Sequence, residues 1–470
     1  MNDIHQSERE QFRVVLIRPD SREVLVAGEQ GRFVLPAVQI PRHTRHAEQI
    51  TAAIASLLNL ESYCLFTVPA DSQPRATHHY AFACTTVGDA SPPDGFGWVS
   101  AHLLSNDALG DVQDLLASQS GFEVIRRCQR DPQSGYFGRP GWLHEIMDWS
   151  GRQLGPLRLR LTGEYCQWNA SSTTCLLRLA TDASPVWFKA VGEVSAREFP
   201  ITLYLAQQFP AHVPATIAKR DDCNGWLAEE TIGSHPDARS SDQTWIRVAD
   251  SLAELQVASI GHILHLAEAG CRDVRSRSLV ESVQPFLEAM DELMEEQTKI
   301  SPAPVTRAEL KFLENILFDA ISSVDELDIP AALGHLDFNP GNIIAGPDRI
   351  VFLDWAAASV GSPFLTLEYL LERLHTFRPS DHTLRTEVFT AYARRWRSLV
   401  GSDELAVALA ATPLLAVFSY ASFSGAWCDP ARLRDPVTSG HLRSLTRRMK
   451  REAEHWVSDP QSIGSFSQKR

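Results

Sequence analysis

The run Leu333-Gly-His-Leu-Asp-Phe-Asn-Pro-Gly-Asn-Ile-Ile-Ala-Gly-Pro-Asp-Arg-Ile-Val-Phe-Leu-Asp-Trp355 carries more information than any other in this chain. His335, Asp337 and Asn342 stand in it at H-x-D-x-x-x-x-N spacing. Pro340-Gly341 makes the segment between Asp337 and Asn342 a loop. Residues 343–344 and 350–353 read as two short strands joined by Gly346-Pro347-Asp348. A hairpin of that length brings the chain back to its starting level, so Asp354 is expected beside Asn342. A carboxylate and an amide oxygen, with a second carboxylate nearby, suit a hard divalent cation. Phosphoryl transfer uses such a set, with metal ligands to neutralise phosphate oxygens and a carboxylate to orient an attacking hydroxyl and take its proton. A simple turn would account for Asp337 or Asn342 alone. It does not account for a second aspartate at a hairpin's end followed by an aromatic.

The surrounding chain is long enough to support this chemistry. Its 470 residues are roughly three times a typical domain of about 150. Apolar residues at 44% and charged residues at 22% exclude a disordered or collagen-like chain. Lys and Arg total 44 against 58 Asp and Glu, a net charge of −14, which argues against a nucleic-acid backbone as main partner. None of the eight cysteines forms a C-x-x-C pair or takes zinc-ligand spacing, and the polar start Met-Asn-Asp-Ile-His is unlike a secretion signal. Free thiols in a cytoplasmic protein are therefore expected. Residues 405–423 imitate a membrane span. Pro413, the small residues and the absence of any second such run fit a buried helix instead, and no membrane partner is expected.

Residues 12–17 and 23–27 read as a hairpin turning at Pro19-Asp20-Ser21, 49–58 as a helix, and 63–68 and 78–86 as strands. Helical spacing returns at 107–128. The turn formers of 131–141 mark a domain boundary. Beyond it the pattern predicts a helix over 142–153, strands over 157–162, 175–179 and 186–191, and a helix over 198–208. From about 241 the chain is mainly helical apart from 333–355, and the tail after Pro460 is short and polar.

The segment His335-Leu336-Asp337-Phe338-Asn339-Pro340-Gly341-Asn342, followed by Leu353-Asp354-Trp355, resembles the catalytic and metal-binding segments of the aminoglycoside phosphotransferase and choline kinase-like family, which has a protein-kinase-like fold. The usual pattern there is H-G-D-L-H-x-x-N, then a hydrophobic strand and I-D-W or F-D-W. Leu336 stands for the usual glycine and Asn339 for the usual second histidine. The resemblance implies Asp337 as catalytic base and Asn342 and Asp354 as Mg2+ ligands, with His335 bracing the loop. It also implies Lys189, on the strand of Val186-Trp-Phe-Lys-Ala-Val191, as the phosphate-binding lysine, and Glu198 as its partner on the next helix. The phosphate-covering loop would fall in Gly163–Thr174, with one glycine and with Ser171, Ser172 and Thr173 as hydroxyl donors. The segment joining the lobes would be 224–233, with the nucleotide edge near Trp226, Glu229 and Glu230. ATP or GTP and a small hydroxyl-bearing acceptor are the implied ligands. The resemblance covers roughly 142–450.

Residues 12–90 resemble a Nudix fold that has lost its chemistry. After a strand ending in Leu35-Pro36, the helix carries Ala52-Ala53-Ile54-Ala55-Ser56-Leu57 where that family places R-E-U-x-E-E, with U apolar. Ala53, Ser56 and Leu57 cannot supply the carboxylates that bind Mg2+ for diphosphate hydrolysis. The expected fold class is thus α+β, with a Nudix-like α/β domain over 1–130 and a bilobal kinase-like region after it. That region comprises a small β-rich lobe over 142–235 and a large, mainly helical lobe over 236–460. The alternative is a nucleotide-binding pseudokinase or regulatory protein whose first domain senses a ligand. The acceptor stays open. Acidic runs (Glu288, Asp291, Glu292, Glu295, Glu296; Asp325, Glu326, Asp328) suit a polycation, whereas Arg432, Arg434, Arg443, Arg447, Arg448, Lys450 and Arg451 suit an anionic or neutral molecule.

Overall fold

The computed structural model describes residues 9–19, 23–28, 33–42, 44–68, 80–100 and 135–458. The helical spacing at 107–128, the centre of the turn at 19–21, the start of the 131–141 segment and the tail after Pro460 lie outside them. The chain folds as two compact units, Met1–Phe199 with Ala215–Glu230, and Pro200–Pro214 with Thr231–Arg470.

The first unit opens with strands β1 (Arg9–Ile17), β2 (Glu23–Ala27) and β3 (Ala37–Pro41), helix α1 (His46–Leu58), and strands β4 (Ser62–Val68), β5 (Tyr80–Thr86) and β6 (Phe96–Ser100). Their sheet runs β4-β5-β1-β2-β6, with β3 also on β1, and β1 is parallel to β5 but antiparallel to β2 and β3. The near-continuous apolar run in β1 reflects burial on both faces. Phe12, Val14 and Leu16 pack with Ile50, Ile54 and Leu58 of α1, while Val15 and Ile17 join a different cluster with Val24, Val26, Tyr63 and Leu65.

The next elements are α2 (Trp142–Leu154), β7 (Leu161–Gln167), β8 (Cys175–Thr181), β9 (Val186–Ala190), α3 (Glu198–Gln208), β10 (Thr216–Arg220) and β11 (Gly225–Glu229). That second cluster continues into α2 and these strands, whereas Ile201 and Leu205 of α3 belong to the core of the second unit. Trp142, Leu143, Ile146 and Leu154 of α2 belong with Leu177, Leu179, Val186, Phe188 and Leu227 of the antiparallel sheet β10-β11-β9-β8-β7. Both sheets of the first unit therefore share one apolar core through α2. Phe137, within the turn-rich segment before α2, is buried in this core.

One expected strand is displaced. Residues 155–157 form a 3-10 turn, Arg158 is left-handed (φ 60), and β7 begins only at Leu161. Gly155-Pro156 explains the shift, because Pro156 lacks the N–H a strand would use. Gly163 is also not a loop residue. It lies within β7 at φ 96, where the register with β8 slips between Leu161 and Tyr165, a conformation glycine tolerates.

The second unit contains α4 (Asp242–Ser259), α5 (Ile263–Glu268), β12 (Arg272–Val274), α6 (Ser276–Glu295), α7 (Arg307–Asp325), β13 (Ala332–His335), β14 (Ile343–Ala345), β15 (Ile350–Phe352), β16 (Ala358–Gly361), α8 (Phe364–Phe377), α9 (His382–Trp396), α10 (Ser402–Phe423), α11 (Pro430–Leu433) and α12 (Pro436–Ser458). The sheet β12-β16-β13 and the hairpin β14-β15 are the β structure described in this helical unit. Helix α10 is apolar on all sides, and two-thirds of its most apolar window is buried within the protein. Phe418 of α10 meets Phe286 of α6 edge to face, with ring centroids 5.7 Å apart.

Candidate active site

In the second unit, β13 is held by buried polar groups before it delivers the loop that follows. The Gln256 Nε2 donates to the carbonyls of Leu333 (3.1 Å) and Pro363 (3.0 Å), and the Tyr392 hydroxyl donates to Gln256 Oε1 at 2.5 Å. The Leu333 N–H donates to Ser259 Oγ and the His335 N–H to Thr366 Oγ1. Gly334 is required by close approach, since a Cβ there would lie 2.7 Å from Ser359 Oγ. Each group is buried, so an unpaired member would cost about 1–3 kcal/mol. The network fixes the strand's register.

Asp337 is exposed on the loop beyond β13. Its carbonyl accepts from Asn342 Nδ2 (3.0 Å) and Asn339 Nδ2 (3.1 Å), and the Asn339 amide also reaches the carboxylate Oδ1 at 3.3 Å. Asn339 Oδ1 in turn accepts the Gly341 N–H. The Asn342 carbonyl accepts from Leu353 N–H at 2.8 Å, and Ile343 is paired with Phe352 in the hairpin. Asp354 therefore follows directly on the residue hydrogen-bonded to Asn342, as the hairpin reading expects. Asp354 adopts φ 62 and ψ 62, a left-handed conformation that aspartate tolerates better than most residues.

Because the Asn342 nitrogen is spent on the Asp337 backbone, its Oδ1 is the atom left for a cation. Together with the Asp354 carboxylate it makes an all-oxygen donor pair, which fits Mg2+, a cation commonly held by one or two protein oxygens plus substrate phosphates. Among the described residues no three His, Cys, Asp or Glu side chains form a closed metal cage.

His335 is buried, and its Nε2–H donates to the Leu353 carbonyl at 3.1 Å. Burial pushes its pKa below the usual histidine value, so the ring is neutral and serves as a brace between loop and hairpin. Leu336 points into the core formed with Leu365, Leu414 and Leu415. Its departure from the glycine of the resembling family is thus a packing feature. Asn339 was legible only as a departure, yet it holds both the carbonyl and the carboxylate of Asp337. Tyr420 was not foreseen at all. Its hydroxyl pKa is raised by burial and then by the negative charge of Asp337, with Arg373 opposing. Nothing in the apolar run 405–423 marks that residue.

In the first unit, Lys189 Nζ lies 2.5 Å from Glu198 Oε1, and the Glu198 side chain is 2% exposed. Leu176 is the cross-strand partner of Lys189, which sets the turn 168–174 beside the lysine's end of β9. A Cβ on Gly192 would come within 2.6 Å of Thr173 Oγ1, so the turn closes down on the exit of β9. Ser171 Oγ accepts the N–H groups of Thr173 (3.2 Å) and Thr174 (3.3 Å), and the Ser172 carbonyl accepts the Phe137 N–H at 2.9 Å. These residues build the turn as well as line it. Trp226 is buried beneath the Lys189 ammonium, with the ring centroid 5.8 Å away. Glu229 ends β11 with an exposed side chain, whereas its neighbour Glu230 is engaged by Arg178, whose Nε lies 2.7 Å from the carboxylate.

The basic residues near the C-terminus are largely spent on helix packing. Arg443 donates to the Leu293 carbonyl, Arg447 to that of Ala303, Arg448 pairs with Glu372, and Lys450 pairs with Glu309. Asp291 and Glu295 of the first acidic run engage Arg307.

No protein-family model and no curated protein matches the sequence. Among solved structures, the chain is similar to a macrolide 2′-phosphotransferase from Brachybacterium faecium, at 15% identity and a TM-score of 0.43, covering 64% of this chain and 97% of that one. It is similar to a choline kinase from Streptococcus pneumoniae at 14% identity and a TM-score of 0.42, covering 67% and 100%. An ethanolamine kinase from Plasmodium vivax gives 13% identity and a TM-score of 0.45, covering 65% and 88%.

Proposed function

We propose that this protein is a Mg2+-dependent small-molecule kinase that moves the γ-phosphoryl group of ATP or GTP to an acceptor hydroxyl. The observation that carries the reading is the frame 335–354. One loop and one hairpin hold Asp337, Asn342 and Asp354 through Asn342 Nδ2 to the Asp337 carbonyl and Leu353 N–H to the Asn342 carbonyl. Asp337 orients the acceptor hydroxyl and takes its proton as the new O–P bond forms and the bond to the nucleoside diphosphate breaks. Asn342 Oδ1 and the Asp354 carboxylate would hold magnesium, which when bound neutralises phosphate charge. Lys189, fixed by Glu198, binds the phosphates. Ser171, Ser172 and Thr173 offer their hydroxyls to them, and the β11 end near Glu229 borders the base.

The test is transfer of label from γ-labelled ATP, with magnesium, to a panel of aminoglycosides, macrolides, amino sugars, choline-like amines and nucleosides. Asp337→Asn should lower kcat by about 10²–10⁴-fold and leave nucleotide affinity within about twofold. Near wild-type turnover in that variant would remove Asp337 from the mechanism.

A second reading is a nucleotide-binding protein without transferase activity. It is favoured by the use of Ser171 Oγ as an acceptor within its own turn. Nucleotide binding with no acceptor-dependent transfer across the panel would support it. In either case the first domain is proposed not to hydrolyse nucleoside diphosphates, since α1 carries alanine, serine and leucine where the resembling family has carboxylates.

A further inference from the structure

The turn 168–174 contains no glycine, yet it is held in one conformation by a chain of side-chain contacts that begins in the first sheet. Strand β4 is the edge of that sheet, paired with β5 along one side. Its outward backbone groups are taken up by two alternate residues of β7. The Tyr165 hydroxyl donates to the Ser62 carbonyl at 3.2 Å. The Gln167 carboxamide makes a two-way pair with Cys64, Oε1 accepting the Cys64 N–H at 2.8 Å and Nε2 donating to the Cys64 carbonyl at 2.9 Å. A side-chain amide thus does what a neighbouring strand would do for a sheet edge.

Gln167 is 4% exposed and does not stop at β4. Its Nε2 also donates to the Asn169 carbonyl at 2.9 Å. The Asn169 side chain then spans the turn, Oδ1 accepting the Leu176 N–H at 2.6 Å and Nδ2 donating to Thr174 Oγ1 at 3.2 Å. Leu176 is the residue opposite Lys189. From outside the turn, the Arg45 guanidinium at the start of α1 lies over the Trp168 ring, 3.0 Å from its centroid. The contacts run without a gap from the β4 backbone, through Gln167 and Asn169, to the strand pair that carries the lysine. Networks of this kind rigidify when every member is satisfied.

We propose that the first sheet is a built-in brace for the nucleotide-phosphate turn, with Gln167 as the positioning residue that fixes 168–174 where a glycine-rich loop would be ordered by its ligand. The proposal rests on the reading of 168–174 as the phosphate turn given under Proposed function. It assigns the domain of the first sheet a role in nucleotide affinity.

The test uses the full-length chain with Gln167→Met, which keeps side-chain length and burial but removes all three hydrogen bonds. Amide hydrogen exchange over 168–176 should rise about tenfold, with exchange over 335–345 unchanged. The Kd for magnesium and N-methylanthraniloyl-ATP should weaken about tenfold, on the order of one buried hydrogen bond. KM for ATP should rise in step while kcat stays within about twofold, because a disordered turn weakens binding of ground and transition states alike. Wild-type exchange and wild-type Kd in Gln167→Met would overturn the proposal. If that variant does not fold, Tyr165→Phe removes only the bond to the Ser62 carbonyl. It should raise exchange over the same amides about two- to threefold, and unchanged exchange would equally overturn the brace. A wild-type chain that fails to bind Mg·ATP would instead refute the kinase reading, while exchange over 168–176 would still judge the brace.

Discussion

Replacing Lys189 by methionine separates the structural from the functional role of the Lys189–Glu198 pair. The carboxylate is 2% exposed, so Lys189→Met leaves a buried anion without the ammonium 2.5 Å away. Removing one member of a buried pair costs about 3–5 kcal/mol. A quarter of the Lys189 side chain is exposed, so water reaches the gap and the expected cost falls to about 2–3 kcal/mol. For a unit of roughly 200 residues that is a fall of about 4–12 °C in the unfolding midpoint. Differential scanning calorimetry reads this directly. In Lys189→Met/Glu198→Gln the buried negative charge is gone, and most of the midpoint should return. Affinity for Mg·ATP should not return, because the cation proposed to bind the phosphates is still missing. The reasoning fails if Lys189→Met melts within about 1 °C of wild type, or if the double variant is no more stable than the single.

Two further outcomes follow from the second unit. Gln256→Leu should destabilise it by about 2–3 kcal/mol in urea titration, since the Leu333 carbonyl and the Tyr392 hydroxyl lose a buried partner; a change below about 0.5 kcal/mol would contradict the assigned network. Glu309 caps α7 and is bonded first by Lys450 and then by the N–H and hydroxyl of Thr306, which holds its pKa down from 4.5 to about 2. A carboxyl depressed in the folded state stabilises above its unfolded pKa, so this contribution should be complete above about pH 4.5 and lost as pH falls toward 2. Acid unfolding of Glu309→Gln should show a shallower slope across that window, and about 1 kcal/mol less stability at neutral pH from the weakened cap.

Local rules reached the frame 335–354 because its information is local. Pro340-Gly341 forces a loop, the Ile-rich pair of strands forces a hairpin, and a hairpin's closure sets Asp354 beside Asn342. The same logic found α3 beginning at Glu198, nine residues after Lys189. It failed at 157–162, where the apolar alternation of Leu157, Leu159 and Leu161 outweighed the Gly155-Pro156 turn signal. It also assigned Gly163 to a loop, because a glycine in a strand bulge and a glycine in a turn look alike without the partner strand. The basic residues of 432–451 suited an anionic or neutral molecule; within that run, Arg443, Arg447, Arg448 and Lys450 are engaged by groups on other segments. Their partners lie 76 to 150 positions away in the chain, beyond any spacing rule.

The sequence by itself determined the chemistry available: which residues can donate oxygens to a cation, which carboxylate can take a proton, and that Ala53, Ser56 and Leu57 supply no carboxylate to α1. Those are properties of side-chain type and short spacing. The tertiary structure alone decided that Asn339 grips Asp337 and that Gln167 ties the turn beside Lys189 to the edge of another sheet. Such contacts depend on which backbone groups a fold leaves unpaired. An exposed strand edge exists only once the sheet is formed, and Cys64 and Gln167 are 103 positions apart in the chain.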